Sequence, residues 1–477
     1  MKYIPVIGLE VHAELNTKTK IYCGCANKFG SEVNTNCCPI CSGMPGTLPV
    51  LNKNVVEYAA RMGLATNCKI NTVTKQDRKN YFYPDLPKAY QISQFDIPLC
   101  EHGYLDIHVS GGKKRIGITR IHIEEDAGKL LHEEAFNGTL VDYNRCGVPL
   151  IEIVSEPDIR SSEEAKAYLD SLKAILQYLN ISDCKMQEGS IRCDVNVSVM
   201  PEGATEFGKR VEMKNVNTFS GAVRGIEYEI ERQIDVIESG GTVEQETRKW
   251  DDMKGYSITM RSKEDAQDYR YFPEPDLGRI ELSDEQMERL KASIPELPHA
   301  KFERFLNDYG LSEYEADLLV GNIARAAFFE ETVKAGKGIE PKVICNWLLG
   351  DISRLLNAEN IEIDECKLTP SRVIDMINLI QKGTISNTAA KTVLEEMFAT
   401  GGTADEIVKA KGLAQLSDTS ALEAIVDSVL AANEKSVNDY KNGKSNAMGF
   451  LVGQCMRASK GQGNPQIISK LLKEKLD

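Results

Sequence analysis

Residues 141–153 read Val141-Asp-Tyr-Asn-Arg-Cys-Gly-Val-Pro-Leu-Ile-Glu-Ile153. Their reading decides the fold. Gly147-Val-Pro149 forms a corner, and the run after it, Leu150-Ile-Glu-Ile153, is apolar and strand-like except for Glu152. A carboxylate desolvated among Ile and Leu is costly without a positive partner. A basic side chain or a metal is therefore expected to meet Glu152. Comparable short alternating runs recur at 6–15, 115–124, 191–199 and 210–213. Residues 1 to about 290 thus mix strands and helices.

Acids recur within these runs at period two. Glu10, His12 and Glu14 share one strand face, and so do His122 and Glu124, with Glu125 facing away. Glu152 and Glu212 each lie between apolar neighbours, and Asp194 and Asn196 alternate with Val195 and Val197. Carboxylates from several strands that converge without a cation repel. Mg²⁺ takes oxygen ligands and bridges to phosphates. A histidine ligand leaves Mn²⁺ or Zn²⁺ open. The plainer alternative is a solvated sheet face with scattered ion pairs.

A second set is sulfur. Cys23-Gly-Cys25 is followed, after twelve intervening residues, by Cys38-Pro-Ile-Cys41. Two close pairs joined by a short loop supply four thiolates to a structural Zn²⁺ with no open position. Cys37 is an extra thiol that could confuse the register. The chain has thirteen cysteines in total and no export signal, which fits reduced thiols in the cytoplasm.

The 477 residues exceed one ordinary core, so two to four domains are expected. With 42% hydrophobic and 27% charged residues the composition is that of a soluble globular protein, and no apolar run is long enough to span a membrane. Ser161-Ser-Glu-Glu164 has capping-box form before a helix with Ala165, Tyr168, Leu169, Leu172, Ile175, Leu176 and Leu179 at helical spacing. A further helix carries Val223, Ile226, Ile230, Ile234 and Ile237 on one face, and Gly240-Gly241 stops it. Beyond about residue 290 strand alternation fades, with a linker at Pro295-Glu-Leu-Pro298 and a second boundary near Thr400-Gly-Gly-Thr403. The expected domains are 1–293, an all-α 294–405 and a small all-α tail, 406–477.

The net charge of −14 argues against a general nucleic-acid binder. The charge is uneven, however. Residues 440–477 carry seven Lys/Arg against Glu474 and Asp477. A basic end on an acidic body suits local docking of a polyanion. No GxxxxGK[ST] loop, GxGxxG turn or nucleophile triad is present, so hydrolase chemistry within the chain is not expected. The run 77–90 interleaves aromatic and basic residues, and Asp268-Tyr-Arg-Tyr-Phe-Pro-Glu-Pro-Asp276 echoes it. Such runs can stack a single-stranded nucleotide end, or simply brace a loop against the sheet.

Taken together, Ile7-Gly-Leu-Glu-Val-His12, Cys38-Pro-Ile-Cys41, 77–90, 121–128, 141–153 with Ser155-Glu-Pro-Asp158, 189–196, 269–276 and 439–465 closely resemble the B subunits of the tRNA-dependent aspartyl/glutamyl amidotransferases, over essentially the whole chain. The resemblance implies a glutamine-synthetase-like α+β cradle with an antiparallel sheet, a helical linker domain and a helical tail. It implies ATP- and Mg²⁺-dependent phosphorylation of the side-chain carboxylate of Glu-tRNA(Gln) or Asp-tRNA(Asn). Ammonia from a separate amidase subunit would then displace the phosphate, with a small strap-like subunit completing a heterotrimer. By position it implies a Mg²⁺ site of Glu10, His12, Glu124 and Glu152 with Glu212, and a polar tunnel gate at Lys79, Glu125 and Asp194. Lys444, Arg457, Lys460, Lys470 and Lys473 fall in the tail unit expected to touch tRNA. The related archaeal, glutamate-only type has an additional domain for which 477 residues leave little room. A non-catalytic tRNA-binding module would not need the ordered acids.

Overall fold

The computed structural model describes residues 2–132, 138–216, 218–262, 268–415, 419–441, 444, 446–459 and 462–476. The chain forms two compact units, Met1–Ala300 and Lys301–Asp477.

The first unit is built on a nine-stranded sheet. Its order across the sheet is Tyr256–Ser262, Glu246–Asp251, Val211–Val216, Ile191–Pro201, Tyr3–Glu14, Pro149–Ser155, Gly112–Glu125, Cys100–Val109 and Lys69–Ile70. Neighbours are antiparallel except for the parallel pair Val211–Val216 and Glu246–Asp251. This is the expected α+β class with an antiparallel-dominated sheet. Alternation sorts the two faces. Ile7, Leu9, Val11, Ala13, Ile121, Ile123, Ile151, Ile153, Val195 and Val197 are buried in one core. Helices Lys53–Ala65, Ser162–Tyr178 and Phe219–Glu238 contribute to that core through Ala59, Tyr168, Leu169, Leu172, Ala222 and Ile226. The residues between the apolar ones, Glu10, His12, Glu124, Glu152 and Asp194 among them, stand on the opposite face.

The strand corner in the deciding stretch needs its glycine. Gly147 has φ +76°, where a β-carbon would be strained, and its carbonyl accepts the Ile21 N–H at 2.9 Å. Arg145 braces the corner, donating to the carbonyls of Ala127 and Gly128 at 3.0 and 2.8 Å.

The capping residue Ser161 accepts the Glu164 N–H, as its pattern predicts. The helix Phe219–Glu238 differs from expectation on its inner face. Ile226 is buried, but so are Glu229 and Gln233, whereas Val223, Ile230, Ile234 and Ile237 are only half-buried. Glu229 is neutralised by Arg232 at 2.6 Å and by Arg248 at 3.8 Å. A paired charge can thus occupy a helix face that apolar spacing alone assigns elsewhere.

The echoing aromatic runs turn out to be strand partners. Phe272 pairs with Arg78 and Pro273 with Asp77, in a three-stranded sheet completed by Tyr90–Ser93. Arg78 makes a bidentate pair with Glu274 (2.7 and 2.8 Å) and lies 4.3 Å over the Tyr90 ring.

Among the described residues the second unit is helical throughout, from Glu313–Val320 to Pro465–Leu476. Its C-terminal helices pack Leu422, Val426, Leu451, Cys455, Ile468 and Leu472 into a small core. Asn464 caps the last helix, accepting the Gln466 N–H at 3.0 Å, and Pro465 begins it. Among the described residues no helix is long and apolar enough to cross a membrane.

Candidate active site and thiolate cluster

The sheet register assembles the site. His12 lies directly opposite Glu152 on the neighbouring strand, and Glu152 opposite His122 on the next. On the other side of the first strand, Glu10 lies opposite Asp194. Side chains directly opposite one another share a face, so one row of pairs crosses the middle of the sheet.

The acids expected to form a single set gather as two trios. In the first, His12, Glu124 and Glu152 bring one ligand atom each within 4.8 Å of one another; in the second, Glu10, Asp194 and Glu212 do the same. His12 Nε2 lies 3.7 Å from Glu124 and 3.6 Å from Glu152. His122, whose shared face with Glu124 is legible but which was not expected as a ligand, completes the arrangement. Its Nε2 is 3.2 Å from Glu152 and 3.5 Å from Glu124, while its buried Nδ1 has no hydrogen-bond partner among the described residues.

The electrostatics follow from this packing. Burial opposes charge on His12, but hydrogen bonding to Glu152 and the charges of Glu152 and Glu124 outweigh it and push the imidazole up to about 9. Burial likewise opposes charge on Glu152, yet the two histidines hold its carboxyl well below the usual range. The positive charge that these contacts favour on the two imidazoles offsets the two carboxylates. A divalent ion would take over that task, with His12 then a neutral ligand.

The second trio is all oxygen, the donor set that suits Mg²⁺. Lys214 reaches it, 3.0 Å from Asp194 and 2.9 Å from Glu212, and Asn196 donates to Glu10 at 2.9 Å. Burial, then the charge of Glu152, raises the Glu10 carboxyl. The two trios thus sense each other.

The three residues placed at a gate by resemblance have separate partners. Lys79 lies 5.1 Å from the Tyr269 ring centroid and 5.7 Å from that of Tyr81. Burial opposes its charge, but the charges of Glu124, Tyr271 and Glu152, in that order, outweigh it and raise its pKa. Glu125, buried on the other side of its strand, pairs with Lys88 and accepts the Ile92 N–H at 3.0 Å. It helps line a cavity of about 210 Å³ together with Lys88, Tyr22 and Cys41. Asp194 belongs to the second trio. Among the described contacts none joins these three to one another.

The four expected thiols also meet. Cys23, Cys25, Cys38 and Cys41 bring their sulfurs within 4.8 Å of one another, all as free thiols. The Cys38–Cys41 sulfur separation is 3.9 Å. A tetrahedron with Zn–S of ~2.3 Å has edges of about 3.8 Å, so the donor set fits. The Cys38 N–H donates to the Cys41 sulfur at 3.1 Å. Bonding from Cys23 lowers the Cys41 thiol to about 4. Cys37 turns away to the Asn34 carbonyl.

In the tail, Lys444, Arg457, Lys470 and Lys473 are exposed. Lys444 contacts Asp439 at 2.9 Å and Lys470 contacts Glu474 at 3.8 Å. Lys460 lies outside the described residues.

The sheet floor of this α+β unit gathers acids, imidazoles and a lysine beside a basic–aromatic wall, a donor set that suits a divalent cation. Residues 5–288 match the family model described as the GatB/GatE catalytic domain, and residues 327–476 match the one described as the GatB domain. The chain is 60% identical over 480 residues to the B subunit of the aspartyl/glutamyl-tRNA(Asn/Gln) amidotransferase of Caldicellulosiruptor bescii, covering all of both chains. It is 58% identical to that of Thermoanaerobacter sp. strain X514, again covering all of both, and 54% identical to that of Clostridium botulinum strain Okra over 99% of each. The chain belongs to the family of aspartyl/glutamyl-tRNA(Asn/Gln) amidotransferase B subunits and is a component of a tRNA-dependent amidotransferase, a ligase. The first family model spans the GatB and GatE types alike; the second model and the full-length relatives favour the GatB type.

Proposed function

We propose that the chain phosphorylates the side-chain carboxylate of glutamate on tRNA(Gln) or aspartate on tRNA(Asn), using ATP, and that ammonia then displaces the phosphate to give Gln-tRNA(Gln) or Asn-tRNA(Asn). The observation that carries this reading is the pair of trios on one sheet face. His12, Glu124 and Glu152 would hold one divalent cation, and Glu10, Glu212 and Asp194 offer oxygen ligands beside it. A bound Mg²⁺ spreads the charge of the transferring phosphoryl group. The chain's own residues do the rest. Lys79 places a cation beside Glu124, where an anionic substrate would approach, and the Tyr81 and Tyr269 rings flank it. A carboxylate is a poor acyl donor to ammonia, and phosphorylation supplies the leaving group.

The cavity lined by Glu125 and Lys88 lies on the other side of the strand and is assigned to the ammonia route from a separate amidase subunit, in a heterotrimer strapped together by a third, small subunit. The domains are assigned as 1–293 for the chemistry, 294–405 as a helical linker and 406–477 as the tail that contacts tRNA through its lysines and Arg457. The four thiolates are assigned to a structural Zn²⁺. The reaction belongs in the cytoplasm.

The deciding experiment labels the side-chain carboxylate of the misacylated tRNA with ¹⁸O and supplies ATP and ammonia to the assembled complex. Released phosphate should carry one ¹⁸O. Phosphate without label, with amidated tRNA still formed, would sink the acyl-phosphate route. Binding of tRNA without any ATP turnover would instead favour a non-catalytic module.

A further inference from the structure

Lys20 is fully buried, at 0% exposure, on the segment that follows the first strand. A buried ammonium needs an anion. Among the described residues no carboxylate pairs with it. Its Nζ donates to the Asn36 carbonyl at 2.9 Å and lies 3.7 Å from the Cys41 sulfur. Its backbone N–H donates to the Cys25 carbonyl at 3.0 Å. One residue thus touches both cysteine pairs, the first through its main chain and the second through its side chain. The Lys20 stem passes Gly147, where a β-carbon would lie 3.9 Å from Lys20 Cδ and 3.5 Å from Cys41 Cβ, so the strand corner closes over both.

Four thiolates around one Zn²⁺ leave a net charge of two minus. Cys23, Cys25 and Cys38 are half-buried, but Cys41, the ligand beside Lys20, is buried, and there the charge calls for a counter-ion just as the ammonium does. We propose that Lys20 is the built-in counter-ion of the tetrathiolate cluster, a positioning residue that holds a bound zinc more tightly by neutralising part of the cluster's charge. The inference rests on the assignment of zinc to the four cysteines. Groups around a metal's ligands that orient and neutralise them are worth about ten- to a hundred-fold in affinity.

The test uses the full-length chain loaded with zinc, with zinc affinity measured by competition against a chromophoric chelator. Lys20→Met and Lys20→Gln should each weaken zinc binding by about ten- to a hundred-fold. Lys20→Arg should stay within a few-fold of the parent, and Lys18→Met, which removes an exposed charge on the same segment, should change nothing. In the cobalt-substituted forms the sulfur-to-metal charge-transfer band should persist at four-thiolate intensity, because no ligand has been removed. Lys20→Gln keeps a donor for the Asn36 carbonyl. Parent-like affinity in Lys20→Gln alone would show that this hydrogen bond, and not the charge, matters, and would overturn the proposal. Equal affinity in all variants would overturn it too, leaving the zinc site intact. A parent chain with reduced thiols that takes up no zinc would overturn both. Should Lys20→Met fail to fold, the Lys20→Gln and Lys20→Arg pair decides.

Discussion

Replacing Glu152 by Gln isolates the charge on which the first trio turns. In the metal-free protein His12 is raised from its ordinary 6.5 to about 9, and Glu152 is the largest contributor that raises it. An imidazolium held above its unfolded-chain value stabilises the fold fully below pH ~6.5 and loses that contribution as pH rises through about 9. The rise from 6.5 to about 9 corresponds to about 3 kcal/mol. The depressed Glu152 carboxyl is the same interaction seen from its partner and adds nothing further. His12 should therefore contribute a loss of about 3 kcal/mol of unfolding free energy between about pH 6 and 9.5 in the metal-free parent protein, and most of that contribution should vanish in Glu152→Gln. With Mg²⁺ the sign reverses. The ion needs a neutral His12, so its affinity should rise with pH over the same interval. Urea unfolding at a series of pH values, with and without the cation, reads both effects. Nitrogen shifts of isotope-labelled imidazoles should place His12 at least a unit lower in the variant. An unchanged pH slope in Glu152→Gln would refute the argument, because it would mean that the imidazole's charge is set elsewhere. The same variant in the assembled complex should lose tRNA-dependent ATP turnover by about a hundred-fold or more, partly restored by raising Mg²⁺.

Glu229→Ala takes the buried carboxylate from Arg232 and Arg248, which keep Glu246, and should cost about 1–3 kcal/mol, read as a lowered denaturant midpoint at unchanged m-value. Arg457→Ala and Lys473→Ala should each weaken tRNA binding a few-fold and reduce the slope of log K against log salt by about 0.7–0.9, with no change in tRNA preference. Glu124→Gln should weaken Mg²⁺ binding, whereas Glu125→Gln should leave it intact and impair glutamine-driven amidation more than amidation by free ammonia. Equal losses with both ammonia sources in Glu125→Gln would remove that residue from the ammonia route.

Much of the site was legible because a strand has period two. Glu10 with His12, and His122 with Glu124, could each be assigned to one strand face from spacing, and Cys23, Cys25, Cys38 and Cys41 to one cluster, since spacing within a strand or a knuckle is local; joining Glu10, His12, Glu124, Glu152 and Glu212 into one set took the family resemblance. What sequence could not supply was register. Whether Glu10 stands opposite Asp194, and His12 opposite Glu152, depends on hydrogen bonding between strands far apart in the chain, and that register divides the acids into two trios. The same limit hid His122, whose position opposite Glu152 makes it a neighbour across strands. Glu229 was illegible for a different reason. Helical spacing weights apolar residues, and a carboxylate that brings two arginines with it escapes that weighting.

Adjacent Glu124 and Glu125 show what this local rule can organise. Both are buried, yet one meets His12 and His122 while the other meets Lys88 in a cavity bordered by Cys41. A single peptide link thus separates the cation floor from the cavity assigned to ammonia. One strand can serve both because successive side chains point to opposite sides. A one-residue slip of Gly112–Glu125 against Pro149–Ser155 would exchange the two carboxylates and bring Ile123 opposite Glu152 in place of His122. The apolar residues on either side of Glu152, Ile151 and Ile153, lock the register by being buried against Ile121 and Ile123, so the core on one face determines the chemistry on the other.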